Sequence, residues 1–137
     1  MDLLREMSWE QPDATLRVRL GAQDTHYGEG LIPAATLLRL FADCSTEIGL
    51  RESGGREGLL AAYEGAEFLH PCRVGDYIEI QAKILSRGKR SRRVGVVALR
   101  HVRAPEHEAA VGRLWSFCEP PEIVARAIMV SVSPRPS

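Results

Sequence analysis

The chain of 137 residues has no charge bias: 18 Lys and Arg stand against 18 Asp and Glu, for a net charge of zero. It therefore lacks the overall field that would gather nucleic acid, and the basic stretch it does carry is not interleaved with the aromatics that stack on bases. No apolar run approaches the roughly 20 residues of a membrane-crossing helix, so no membrane partner is expected. Cysteine is limited to Cys44, Cys72 and Cys118, an odd number without metal-ligand spacing. No cluster suits a metal or a redox cofactor, and none is expected. The opening Met-Asp-Leu-Leu-Arg-Glu-Met lacks the basic-then-apolar order of a signal peptide, and a reducing cytoplasm is the expected setting.

What is there is short strands and one helix. The length suits a single domain over 1–137, with a polar leader at 1–12 and a solvated tail at 134–137. A chain this short that builds a broad sheet leaves one face for a partner subunit, so an oligomer is expected. From Ala14 to Ala22, Leu16, Val18 and Leu20 alternate with Arg17 and Arg19, the period of a strand with one buried face. A turn holding Gly28 and Gly30 follows, and the pattern predicts a helix from Pro33 to Glu52, ended by Gly54 and Gly55. Leu37, Phe41, Cys44 and Ile48 fall within about 60° on the helical wheel and form its core stripe. Strand-like segments follow at Gly58–Phe68, Asp76–Leu85, Arg92–Val102 and Glu122–Ser133, with the Pro120-Pro121 pair read as a break before the last. This order predicts an α+β fold in which an antiparallel sheet packs one face against a single long helix.

Chemistry-bearing residues concentrate between Asp24 and Glu47. His26 lies where the chain turns toward the helix and can act as acid or base near neutral pH. A turn histidine taken alone is an ordinary local hydrogen-bond partner, and Asp24 either binds its own backbone or orients His26. Asp43 and Glu47 lie one helical turn apart at the flank of the apolar stripe. They form an ordinary wet helix face unless a subunit interface desolvates them, in which case one carboxyl holds its proton near neutral pH. The unpaired N–H groups and positive end of the helix dipole suit an oxygen that turns negative during reaction, such as a thioester carbonyl. The run from Arg87 to Arg93 carries five positive charges in a predicted hairpin. It suits the phosphates of coenzyme A, through Lys89, Arg90 and Arg92, as well as it suits solvent.

Several motifs combine: Asp24-Thr25-His26-Tyr27 before a glycine turn, Asp43 and Glu47 on the helix, Gly58-Leu59 through Ala62-Tyr63, Glu67-Phe68-Leu69 followed by Pro71, Val74-Gly75-Asp76, and Cys118-Glu119-Pro120-Pro121. Together, from Leu16 to Ala127, they resemble the β-aminoacyl-CoA ammonia lyases of the hotdog superfamily. The resemblance implies a hotdog fold, a five-stranded antiparallel sheet wrapped around one long central helix. It also implies reversible loss of ammonia from a short β-aminoacyl-CoA, with CoA present only as part of the substrate. Asp24, His26, Asp43 and Glu47 are then the expected acid/base residues. Ala34 and Ala35 are the expected backbone donors to the enolate oxygen, since Pro33 has no N–H. A homodimer assembling to a tetramer or hexamer is the expected unit, because hotdog pockets lie between subunits. The chain departs from the family pattern where Gly30 replaces Asn, where Pro33-Ala34 replaces an acidic or amide residue and Gly, and where Thr36 replaces Arg. Those departures keep two alternatives open: an acyl-CoA or carrier-protein thioesterase using the same helix N-terminus, and a non-catalytic acyl-CoA-binding domain.

Overall fold

A computed structural model describes residues 11–24, 30–105, 112 and 114–133 of the chain. Five strands, β1 (Ala14–Arg19), β2 (Leu59–Phe68), β3 (Tyr77–Arg87), β4 (Ser91–Arg103) and β5 (Ser116–Val132), form one antiparallel sheet in the order β1-β3-β4-β5-β2. The long helix α1 (Ala34–Glu52) lies in the concave face of that sheet. Alternation along the strands explains the arrangement. Ile78, Ile80 and Ala82 of β3, Val94, Val96 and Ala98 of β4, and Ala125, Ala127 and Met129 of β5 turn to the helix and are almost fully buried. The predicted stripe of Leu37, Phe41, Cys44 and Ile48 meets them and is equally buried. Each of the Leu, Ile, Val, Phe and Met side chains among them contributes on the order of 1.5–3 kcal/mol by leaving water, and each alanine methyl less. Cys44 is packing: its Sγ points to the Ile80 carbonyl at 3.8 Å, and burial first, then the charges of Glu47 and Asp43, push its thiol up to about 12. Tyr63 of β2 is tied to the helix, its hydroxyl donating to the Leu38 carbonyl at 2.7 Å.

The last strand differs from the sequence expectation. It begins at Ser116 and continues past Pro120 and Pro121, which lie inside it instead of before it. The proline pair is accommodated because the β4–β5 register breaks there: Arg100 pairs with Glu122 and Val102 with Phe117, leaving the residues between on β5 as a bulge. A bulge demands no ladder hydrogen bond from a proline nitrogen. Strand β2 forms a sheet edge and is largely solvent-facing on its own, with Leu59 73% and Leu60 45% exposed. Among the described residues, no helix is long and apolar enough to cross a membrane.

Candidate active site

The start of α1 is positioned by the chain just before it. Gly30 adopts φ 72°, in the left-handed region where glycine and asparagine are the residues at ease. Glycine therefore takes the bend without steric cost and presents no side chain there. Leu31 then bridges Arg73, the Ile32 N–H donates to the Cys72 carbonyl at 2.9 Å, and the Val74 N–H donates to the Gly30 carbonyl at 2.9 Å. This short pairing lays the β2–β3 connection against the first turn of the helix. Pro33 is extended (φ −69°, ψ 152°) and serves as N-cap without a side-chain hydrogen bond. The N–H groups of Ala34 and Ala35 precede any i−4 acceptor in the helix, and both residues are exposed.

A groove of about 260 Å³ opens at this point, lined by Ile32, Ala34 and Leu37 on one side and by Phe68 through Cys72 on the other. Its walls are apolar, and Phe68 and Leu69 are half-exposed within it. Cys72 offers no nucleophile there. It is buried, and burial is the main reason its thiol rises to about 12, the Arg100 charge opposing and the Asp76 and Glu122 charges adding. Among the described residues, the acid/base side chain that lines the groove is His70. Its backbone N–H and that of Leu69 share the Val124 carbonyl at 3.3 and 2.8 Å, and its Nδ1 lies 3.5 Å from Glu122 Oε1.

A buried ion network anchors that side of the groove. Arg100, 2% exposed, donates from Nη1 to Asp76 Oδ2 at 3.0 Å and to the Pro71 carbonyl at 2.9 Å, and from Nη2 to Glu122 Oε2 at 3.0 Å. Asp76 is fully enclosed and also accepts the N–H groups of Ala104 (2.8 Å) and Arg73 (3.0 Å). The Val-Gly-Asp motif thus shapes the loop. Gly75 takes φ 98°, and a Cβ there would meet Ala104 at 3.0 Å and Trp115 at 3.2 Å. Burial pushes the Glu122 carboxyl up, but the hydrogen bond and charge of Arg100, aided by His70 and Arg103, outweigh it and hold the group below the usual carboxylate range.

The expected site residues are spread more widely. His26 and the side chain of Asp24 lie outside the described residues. Asp43 and Glu47 sit on the outer side of α1, about 14 and 20 Å along the axis from Ala34 at ~1.5 Å per residue. In the single chain they are solvent-facing and pair with Arg39 at 3.3 Å and Arg51 at 2.7 Å. The basic hairpin lies at the far end of the helix, where a second cavity of about 620 Å³ is lined by Glu52, Ser53, Arg56 and the stretch from Arg87 to Arg92. There Glu52 accepts from both Arg87 and Arg92, Arg90 donates to the Ser133 carbonyl at 3.1 Å, and Lys89 is exposed. Arg92 is itself buried, with its guanidinium turned toward the helix. His70 carried no sequence signal beyond its place between Leu69 and Pro71. It reaches the helix start only through the long-range pairing of Gly30–Ile32 with Cys72–Val74.

A sheet curled around one helix, with a groove at the helix N-terminus, defines the hotdog class, and the comparisons agree. The structure matches β-alanyl-CoA:ammonia lyase from Clostridium propionicum at a TM-score of 0.80 and 24% identity, over 86% of this chain and 82% of that one. It matches a hexameric hotdog fold thioesterase of Campylobacter jejuni at a TM-score of 0.68 and 21% identity, over 88% of this chain and 81% of that one. In sequence it is 38% identical over 122 residues to 3-aminobutyryl-CoA ammonia lyase of Acetoanaerobium sticklandii, covering 89% of this chain and 94% of the relative. No family model matches the chain. At that identity and coverage, the chain belongs to the β-aminoacyl-CoA ammonia lyase family.

Proposed function

We propose that the protein is a carbon–nitrogen lyase that reversibly eliminates ammonia from a short β-aminoacyl-CoA to give the enoyl-CoA. The observation that carries this reading is the 38% identity, over nearly the whole length of both chains, to a protein named 3-aminobutyryl-CoA ammonia lyase. The groove supports it chemically. Loss of the α-proton puts negative charge on the thioester oxygen, and free N–H groups at Ala34 and Ala35, backed by the helix dipole, stabilise that charge. The apolar walls and modest volume of about 260 Å³, below the roughly 300–1,000 Å³ of pockets for drug-sized ligands, suit an acyl group of few carbons.

The working unit is a homodimer, assembling further to a tetramer or hexamer as its hexameric hotdog neighbour does. Strand β2 supplies the argument: an edge strand exposing Leu59 and Leu60 is a template for pairing with a second copy of itself. In that assembly, His26, Asp43 and Glu47 handle protons at the amine end of the substrate, with Asp24 orienting His26. Lys89 and Arg90 line the phosphate end of CoA, which enters only as part of the substrate, while Arg92, expected there as well, is buried and held by Glu52 beneath the hairpin. The free thiols fit a reducing cytoplasm.

Crotonyl-CoA or acrylyl-CoA with ammonium tests the reading. Loss of enoyl absorbance without release of free thiol is the expected result. Thiol release instead means hydrolysis, and absence of any ammonia-dependent turnover across a panel of enoyl-CoAs and β-amino thioesters rejects the lyase.

A further inference from the structure

We propose that His70 is the base that takes the α-proton in elimination and returns it in addition, with Glu122 as its positioning residue; this rests on the lyase reading above. Among the described residues, the groove that carries the Ala34 N–H is lined by His70, by apolar side chains and by the Cys72 thiol. A group beside the oxyanion donors is beside the α-carbon, because the thioester carbonyl carbon is bonded directly to it.

The setting of His70 is that of an oriented base. Two N–H bonds to the Val124 carbonyl fix its backbone, and Glu122 stands 3.5 Å from Nδ1, leaving Nε2 as the nitrogen to meet substrate. Glu122 is itself held by Arg100, and Arg100 by Asp76. Among the described residues, the charged group against the ring is Glu122 of β5; Arg100 and Arg103 of β4 pair with Glu122, Arg100 also pairs with Asp76 of the β2–β3 connection, and Cys72 lines the same groove. The first turn of α1 contributes none, being Ala-Ala-Thr-Leu-Leu. The step balances as follows. The Cα–H bond breaks, its proton goes to neutral His70, and its electron pair passes to the thioester oxygen as an enolate. The enolate then re-forms the carbonyl and the Cα=Cβ bond, and the Cβ–N bond of the protonated amine breaks with its pair on nitrogen, releasing ammonia. The imidazolium beside Glu122 holds the proton until ammonia or water collects it.

The test is His70→Gln, with His70→Asn as the second variant, assayed for turnover and for α-hydrogen exchange into deuterium oxide. The ring is half-exposed, so an unchanged melting curve is expected of at least one of them. A fall in kcat of about 10²–10⁴-fold, with KM within about threefold and α-exchange lost, is the expected result. Glu122→Gln is expected to lower kcat about tenfold with KM within about threefold, and to lower it no further in the His70→Gln background; a residue acting only on the fold would lower activity in both backgrounds. Wild-type turnover matched within about twofold by a folded His70 variant, or a loss from Glu122→Gln that persists undiminished in the His70→Gln background, overturns the assignment alone. Absence of ammonia-dependent turnover in the wild type overturns the lyase reading and this assignment with it.

Discussion

At the scale of single residues, the arrangement most open to a clean test is Pro33 followed by Ala34. Pro33 already has the extended ψ of 152° that a residue before proline must adopt, and Ala34 is the first helical residue, where proline is tolerated because its N–H has no helical acceptor. Ala34→Pro therefore deletes one candidate oxyanion donor and changes little else. Its melting temperature is expected within about 2 °C of wild type, since no native hydrogen bond or buried contact of the helix is lost. Its kcat is expected to fall about 10²–10³-fold, the effect of removing one such donor, with less change in KM. Steady-state kinetics on an enoyl-CoA with ammonium decide it. A variant with full kcat would mean that the developing charge is held elsewhere.

At the scale of elements, the C-terminal end of α1 is a problem that the hairpin solves. Glu52 places a carboxylate at the negative end of the helix dipole, an unfavourable position by itself. Hydrogen bonds from Arg87, and from Arg92 against the cost of burial, reverse this and pull its carboxyl down from 4.5 to about 2. Since the folded value is the lower one, the stabilisation is fully present above pH 4.5 and is lost as pH falls toward about 2. Glu52→Gln is expected to cost about 1–3 kcal/mol at pH 7, mostly by leaving the buried Arg92 guanidinium without its anion. Urea unfolding at pH 7, 5, 4 and 3 should show that difference shrinking below pH 4.5; a constant difference would mean the carboxylate charge is not what stabilises. Other features of α1 and the sheet could be read without coordinates. The stripe of Leu37, Phe41, Cys44 and Ile48 and the alternation in β3 and β4 are local periodicities, and local periodicity is what a sequence displays. The course of β5 through Pro120 and Pro121 was not legible, because proline is tolerated there only by a bulge defined against β4. His70 was hidden for the same reason: nothing near it in sequence says that residues 30–32 pair with residues 72–74.

At the scale of the whole molecule, the proposed acyl and CoA-phosphate sites lie at opposite ends of α1. The groove with Ala34 opens at its N-terminus and the basic cavity at its C-terminus, about 28 Å apart for 19 residues at ~1.5 Å rise. A thioester served at both places by one chain would have to run the length of the helix. In a dimer joined through β2, as proposed above, the alternative is an acyl group in one chain's groove with the CoA phosphates on the partner's hairpin. This division can be tested by mixing defects. A chain carrying Ala34→Pro and a chain carrying Lys89→Ala with Arg90→Ala are each expected to be weak alone, the first in kcat and the second in KM. If one substrate draws on both chains, a mixed dimer joins both defects in one site and leaves its other site fully intact. Unfolding and refolding the two together at equal amounts makes about half the dimers mixed, so activity near a quarter of wild type should return. If each chain serves its own substrate, every site in the mixture keeps one defect and no activity returns. Ammonia-dependent turnover of the refolded mixture, compared with each variant refolded alone, separates the two cases.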